Sequence, residues 1–133
     1  ERDIESLFAV LKEDQSQHGR AVDRLEHVVR RSADVLVEQL PYVTVLLRVR
    51  GNTEAERWAL ERRREFDSRL SAIVRAGIVE GDVRADLDPR LVTRLLFGMV
   101  NSLVEWYRPG GLTSPKQLAD ALVAIAFHGM KEQ

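Results

Sequence analysis

The chain reads as all-α, an orthogonal bundle of about six helices that closes with two helices apolar nearly all round. Three observations carry that reading. Apolar residues recur at helical spacing in successive segments, beginning with Ile4, Leu7, Phe8 and Leu11. Capping residues mark helix starts and glycine or proline marks the stops. No segment makes a convincing strand.

The elements follow in order. Ile4, Leu7, Phe8 and Leu11 share a stripe expected to end a helix that begins upstream, and Gly19 is expected to break it. Val22, Leu25, Val29, Leu36 and Leu40 keep helical spacing through the second segment, with Asp23, Arg24, Glu26 and Arg30 turned outward. Pro41 then opens the run Tyr42 to Val49, whose Val43, Val45, Leu46, Leu47 and Val49 leave no polar face. A β-strand and a short buried helix both fit this run. The helix is preferred, because a single strand in a helical chain has no partner for its backbone hydrogen bonds. Gly51 and Asn52 turn the chain, and Thr53 with Glu56 forms a capping box for a long helix reaching about Glu80.

Gly81 can take the positive φ that closes that helix, Asp88 can accept N–H groups at the next start, and Pro89 follows where a missing N–H costs nothing. The next helix is expected to span Leu91 to Arg108, stopped by Pro109, Gly110 and Gly111. Ser114, Pro115 and Gln117 open the last one as a second capping box.

Composition narrows the function classes. At 133 residues and 44% hydrophobic, the chain fits one globular domain over 1–133 with a core of its own. Charged residues make up 31%, yet the net charge is −1 and the pI about 6.4, which leaves no electrostatic footprint for nucleic acid or an anionic membrane. The absence of cysteine excludes disulfides and thiolate metal sites and leans towards a reducing compartment, the cytoplasm. The charge-free runs Leu95 to Val104 and Ala121 to Met130 fall well short of the roughly 20 residues that cross a bilayer. The start at Glu1, already in helical pattern, is expected to be a cut from a longer protein.

Both C-terminal helices lack a polar face. Val92, Leu95, Leu96, Met99, Leu103 and Trp106 form a broad stripe that Phe97, Val100, Val104 and Tyr107 extend round the cylinder. Leu118, Leu122, Ile125 and Ala126 do much the same in the last helix. Two such helices at one end of a small domain cannot both be central, so a partner subunit is expected to cover them. Val100, Val104, Tyr107, Leu118, Leu122, Ile125 and Ala126 are the expected seam. Gly98 and Ser102, four apart, would permit close backbone approach.

By order and punctuation the chain resembles the C-terminal effector-binding and dimerisation domain of TetR-family transcriptional regulators. The resemblance rests on the turn Ile78-Val79-Glu80-Gly81-Asp82, on Arg84 and Asp86-Leu87-Asp88-Pro89, and on a helix containing Leu96-Phe97-Gly98. That helix ends Trp106-Tyr107-Arg108-Pro109-Gly110-Gly111, as in regulators of lipid, sterol and acyl-CoA metabolism, before a final amphipathic helix. The resemblance implies a bacterial, cytoplasmic homodimer, a repressor in the usual case, whose small hydrophobic effector can be anionic or acyl-CoA-like. It implies operator DNA binding only through an N-terminal helix-turn-helix domain that lies outside this sequence, with residues 1–18 as the rest of the connecting helix. A stand-alone helical protein-interaction module is the competing expectation, and an upstream basic helix-turn-helix would decide between them.

Pocket candidates follow from that resemblance. Arg62 occupies a stripe with Ala59, Phe66, Arg69 or Leu70, Ile73 and Gly77, where an apolar residue is expected. Its planar fork would suit a carboxylate or phosphate. Ion pairing along the helix with Glu61 and Glu65 is the preferred alternative. Leu46, Trp58, Phe66, Phe97, Met99 and Trp106 would wall an apolar pocket or serve as plain core. Asn101 fits an effector contact, the dimer seam or open water equally well. His18, His27 and His128 are scattered and none belongs to a Glu-x-x-His pattern, so no metal is expected, and no cofactor or catalytic motif is present.

Overall fold

The computed structural model describes residues 2–38, 53–108 and 110–130. Among them every regular element is a helix: α1 (Arg2–Lys12), α2 (Asp14–Gln17), α3 (Ala21–Glu38), α4 (Thr53–Glu80), α5 (Pro89–Asn101), α6 (Leu103–Trp106) and α7 (Pro115–Met130). The run Tyr42 to Val49, with Leu46, lies outside the described residues, as do the side chains of Thr53, Glu56 and Val104.

Helix α3 is the axis of the bundle. Ala21, Val22, Leu25, Val28, Val29, Ala33, Val35 and Leu36 are all buried, and α3 packs against each of the other six described helices. This follows from its sequence: apolar positions wide enough to cover more than one side, with arginines and carboxylates confined to the remainder. Around it, Phe66, Leu70, Ile73 and Val74 of α4, Val92, Leu96, Phe97 and Val100 of α5, and Leu118, Leu122, Val123 and Phe127 of α7 complete one continuous core.

Local chemistry sets most helix ends. At the end of α4, Gly81 takes φ +86°, its N–H donates to the Ile78 carbonyl at 3.0 Å, and the Asp82 N–H donates to the Gly77 carbonyl at 3.0 Å. That pattern satisfies carbonyls left open by the helix. Gly77 also has a packing reason, since a Cβ there would come within 2.6 Å of Val83 Cγ2. Asp88 caps α5 by accepting from the Arg90 N–H at 3.1 Å, with Pro89 in the first position. Ser114 and Gln117 cap α7 reciprocally: the Ser114 N–H donates to Gln117 Oε1 at 2.8 Å and the Gln117 N–H to Ser114 Oγ at 3.1 Å.

Three boundaries depart from the sequence expectation. The first helix stops at Lys12, because Glu13 is extended (φ −63°, ψ 146°) and α2 is a separate single turn before Gly19. The long helix expected over Leu91 to Arg108 is divided at Ser102, whose hydroxyl donates to the Met99 carbonyl at 2.7 Å and receives Trp106 Nε1–H at 3.2 Å. A hydroxyl bonding back to the helix backbone competes with the regular ladder. The helix then ends at Trp106, with Tyr107 already extended before Pro109 restricts the chain further.

The ends of α3 and α4 also finish each other. Glu80 Oε1 accepts from the Ala21 N–H at 2.9 Å, satisfying the start of α3, while Arg20 donates to the Glu80 carbonyl at 3.0 Å and pairs with Asp82. This ties the entry of α3 to the end of α4 across the length of the chain between them.

Candidate functional site

The expected pocket residues separate into two groups. Phe66 and Phe97 are buried and meet edge to face with centroids 5.2 Å apart; Phe8 of α1 meets Phe66 at 5.6 Å in the same manner. The result is an aromatic ladder from α1 through α4 to α5, a geometry that rings favour over face-to-face stacking. Met99 is partly buried against the core and Asn101 is half-buried. Trp58 and Trp106 are exposed and take no part in the ladder.

Arg62 sits on the outer rung. Its guanidinium lies 3.8 Å from the Phe8 ring centroid, Nη1 donates to Glu65 Oε2 at 2.9 Å, and Nη2 reaches Glu5 Oε1 at 3.4 Å. Its fork is therefore occupied by carboxylates and an aromatic face, and it fastens α1 to α4. Its Nε, like the wholly buried hydroxyl of Ser32 on α3, has no partner among the described residues.

A crevice of about 380 Å³ opens beside this ladder, under the corner where α1 passes into α2. Leu11, Ser16 and Gln17 form its roof, Arg24 comes from α3, and Arg69, Ala72 and Ile73 come from α4. The corner is held by polar contacts: Ser16 Oγ donates to the Val10 carbonyl at 2.6 Å, and Arg24 Nε donates to the Ser16 carbonyl at 2.9 Å. Beside it His27 Nε2 lies 2.7 Å from Glu13 Oε1, and Arg31 bridges Glu13 (3.3 Å) and Asp34 (3.2 Å). Spacing alone did not mark this crevice. The one hint was Arg69, which competes with Leu70 for the inward stripe of α4.

The expected seam residues fall unevenly. Val100, Tyr107, Leu118 and Leu122 are buried within the chain's own core, Ala126 is half-buried, and Ile125 is exposed. The reason is rotation: the inward arc of α5 runs through Val92, Leu96 and Val100, which turns Leu91, Leu95 and Gly98 outward. On α5, α6 and α7 the exposed large apolar side chains, among the described residues, are Leu91 (53%), Leu95 (62%), Trp106 (56%) and Ile125 (70%). Helices α5 and α7 that carry most of them pack on each other.

Ion pairs fix the exterior. Arg30 donates to Asp120 at 2.6 Å and so ties α3 to α7; the hydrogen bond from Arg30, then that from Lys116, holds the Asp120 carboxyl below its ordinary range. Asp67, half-buried on α4, is pushed up by desolvation despite Arg63 and Arg94. Among the described residues there is no cluster of metal-ligating side chains, and no helix is long and apolar enough to cross a membrane.

The chain matches the family described as tetracyclin repressor-like, C-terminal domain, over residues 18–130. It belongs to that family. This TetR-family domain is similar to the HTH-type transcriptional repressor KstR2 of Rhodococcus jostii (strain RHA1), 32% identical over 66 residues. The match spans 50% of this chain and 32% of that relative, so about a third of the relative's length is represented. SCO3833, a TetR-family regulator of Streptomyces coelicolor A3, superposes with a TM-score of 0.86 at 53% identity, covering 98% of this chain and 67% of that one. AibR in complex with isovaleryl coenzyme A and operator DNA shares the fold with a TM-score of 0.70 at 18% identity, covering 95% of this chain and 69% of that one.

Proposed function

We propose that this TetR-family domain is the effector-sensing and dimerising part of a homodimeric cytoplasmic repressor, with operator DNA bound by a separate helix-turn-helix domain. Family membership supports the regulatory role. A small hydrophobic effector, anionic or acyl-CoA-like, is in keeping with the isovaleryl coenzyme A bound to AibR. Such an effector acts only through its different affinities for two states, here two positions of the connecting segment α1 relative to α4.

The observation that carries dimerisation is the outward row Leu91, Leu95 and Trp106, with Ile125 on the adjacent helix. An exposed apolar surface of that kind costs free energy in water at about 25 cal/mol per Å² and is recovered when a second copy covers it. Gly98, in the middle of the row with open space before it, would let a partner approach closely. The seam is thus assigned to these outward residues, of which Ile125 is shared with the sequence expectation. Sedimentation of the purified protein should show a dimer at micromolar concentration, and Leu95→Arg should convert it to a monomer with unchanged helix content. A wild-type chain that stays monomeric would overturn the reading.

A further inference from the structure

We infer that the crevice under the α1–α2 corner binds a small anion with a short apolar tail, a carboxylate or a phosphate monoester. Its volume, about 380 Å³, lies within the range of about 300–1,000 Å³ used by small-molecule sites. Its distinguishing feature is two guanidiniums on different helices, Arg24 on α3 and Arg69 on α4, at one opening.

Several arginines on this surface are matched closely by acids: Arg30 with Asp120 at 2.6 Å, Arg62 with Glu65 at 2.9 Å, Arg84 with Asp86 at 2.7 Å. The crevice arginines are not. Arg24 spends its Nε on the Ser16 carbonyl, which fixes the plane of the group, and no carboxylate among the described residues pairs with it. Arg69 has Glu65 at 3.9 Å, the limit of an ion pair, and that carboxylate is already engaged by Arg62; its guanidinium also lies 5.5 Å from the Phe8 ring centroid, a contact that leaves its N–H donors open. Two like charges at one opening repel, and an anion accepting from both removes the repulsion while gaining charge-assisted hydrogen bonds. Gln17, whose amide is held only loosely to the Leu11 carbonyl at 3.4 Å, stands at the same rim as a further donor. Ala72 and Ile73 below and Leu11 above supply apolar walls for a tail. Arg62, seated on the Phe8 ring, does not line the crevice and is not needed.

An occupant would join α3 to α4 directly beneath the end of α1. Its effect on the connecting segment rests on the effector-sensing reading above; the binding itself does not.

Calorimetric titration of the 133-residue chain with octanoate, octyl phosphate, octanol and inorganic phosphate tests the site. Octanoate or octyl phosphate should bind at least about tenfold more tightly than octanol or inorganic phosphate, and the preferred head group identifies the anion. Arg24→Gln and Arg69→Gln should each weaken that binding by about tenfold or more, while Arg90→Gln, an equal change in charge on α5, should not. Arg69→Gln carries the test if loss of the Ser16 contact loosens the corner in the other variant. Absence of binding by both charged amphiphiles overturns the site, and so does octanol or inorganic phosphate binding as tightly as they do. Binding that ignores Arg69→Gln in a folded chain places the anion elsewhere, which ends this inference and leaves the effector-sensing reading standing.

Discussion

The corner between α1 and α3 and the outward side of α5 and α7 both lie at the surface, and they are finished in opposite ways. At the corner, hydroxyl, carboxylate, imidazole and guanidinium groups close on one another and on open carbonyls: Ser16 on Val10, Arg24 on Ser16, His27 and Arg31 on Glu13. On the C-terminal side, Leu91, Leu95 and Ile125 stand in solvent with no such closure. A polar surface built this way is complete in water, whereas an apolar row is in a lower free-energy state when covered. Under the proposed function, the corner would be the effector-sensing end of the domain and the far helices the assembly end.

The comparison can be broken by substitutions at each end. The largest monomer effect is expected at the ladder that links them: Phe66→Ala should cost about 3–5 kcal/mol in denaturant unfolding, since it removes a buried ring and both edge-to-face contacts. A loss below about 1 kcal/mol would mean that the ladder does not couple α1 to α5. Glu13→Gln should cost about 1–2 kcal/mol by weakening the pairing with His27 and Arg31 in a partly exposed setting, with dimerisation untouched.

Gly98→Ala separates the two ends most sharply. Nothing in the chain lies within 4 Å of the added Cβ, so the isolated helix should gain about 1 kcal/mol. If a partner's backbone seats there, sedimentation should at the same time show a weaker dimer; equal strengthening of both would remove Gly98 from the seam. The smallest effect is expected at Asp67, whose carboxyl is raised by desolvation. A carboxyl raised in the folded state favours folding while protonated and loses that contribution as pH rises through its folded value. Asp67→Asn should therefore stabilise the domain at neutral pH and lose its advantage in acid, and thermal melts across pH would reveal the opposite slope if the burial were irrelevant.

The helix ends were largely legible because their causes are local. Asp88 with Pro89, Ser114 with Gln117, and Gly81 each act within one turn, so a short window of sequence contains the whole interaction. The division at Ser102 was also local, yet Ser102 within an apolar run reads equally as a small residue facing a neighbour, and only its bond to the Met99 carbonyl distinguishes the two. The site was less legible. Arg62 stood out as a charge on an apolar stripe, but its partners Phe8 and Glu5 belong to another helix. Arg24 looked like an ordinary outward arginine.

From the residues alone came the all-α class, the order of the main helices outside the run Tyr42 to Val49, most of their ends, and the resemblance to TetR-family regulators, while the separate turn α2 and the division at Ser102 did not. Those properties depend on periodicity and on contacts a few residues apart. The tertiary structure decided which side of an all-round apolar helix faces the core, sending Leu96 inward and Leu95 out, because the rotation of a helix is set by the neighbours it packs against. It likewise decided that Glu80 finishes α3 and that Arg24 and Arg69 share one opening, since both depend on residues brought together from distant parts of the chain.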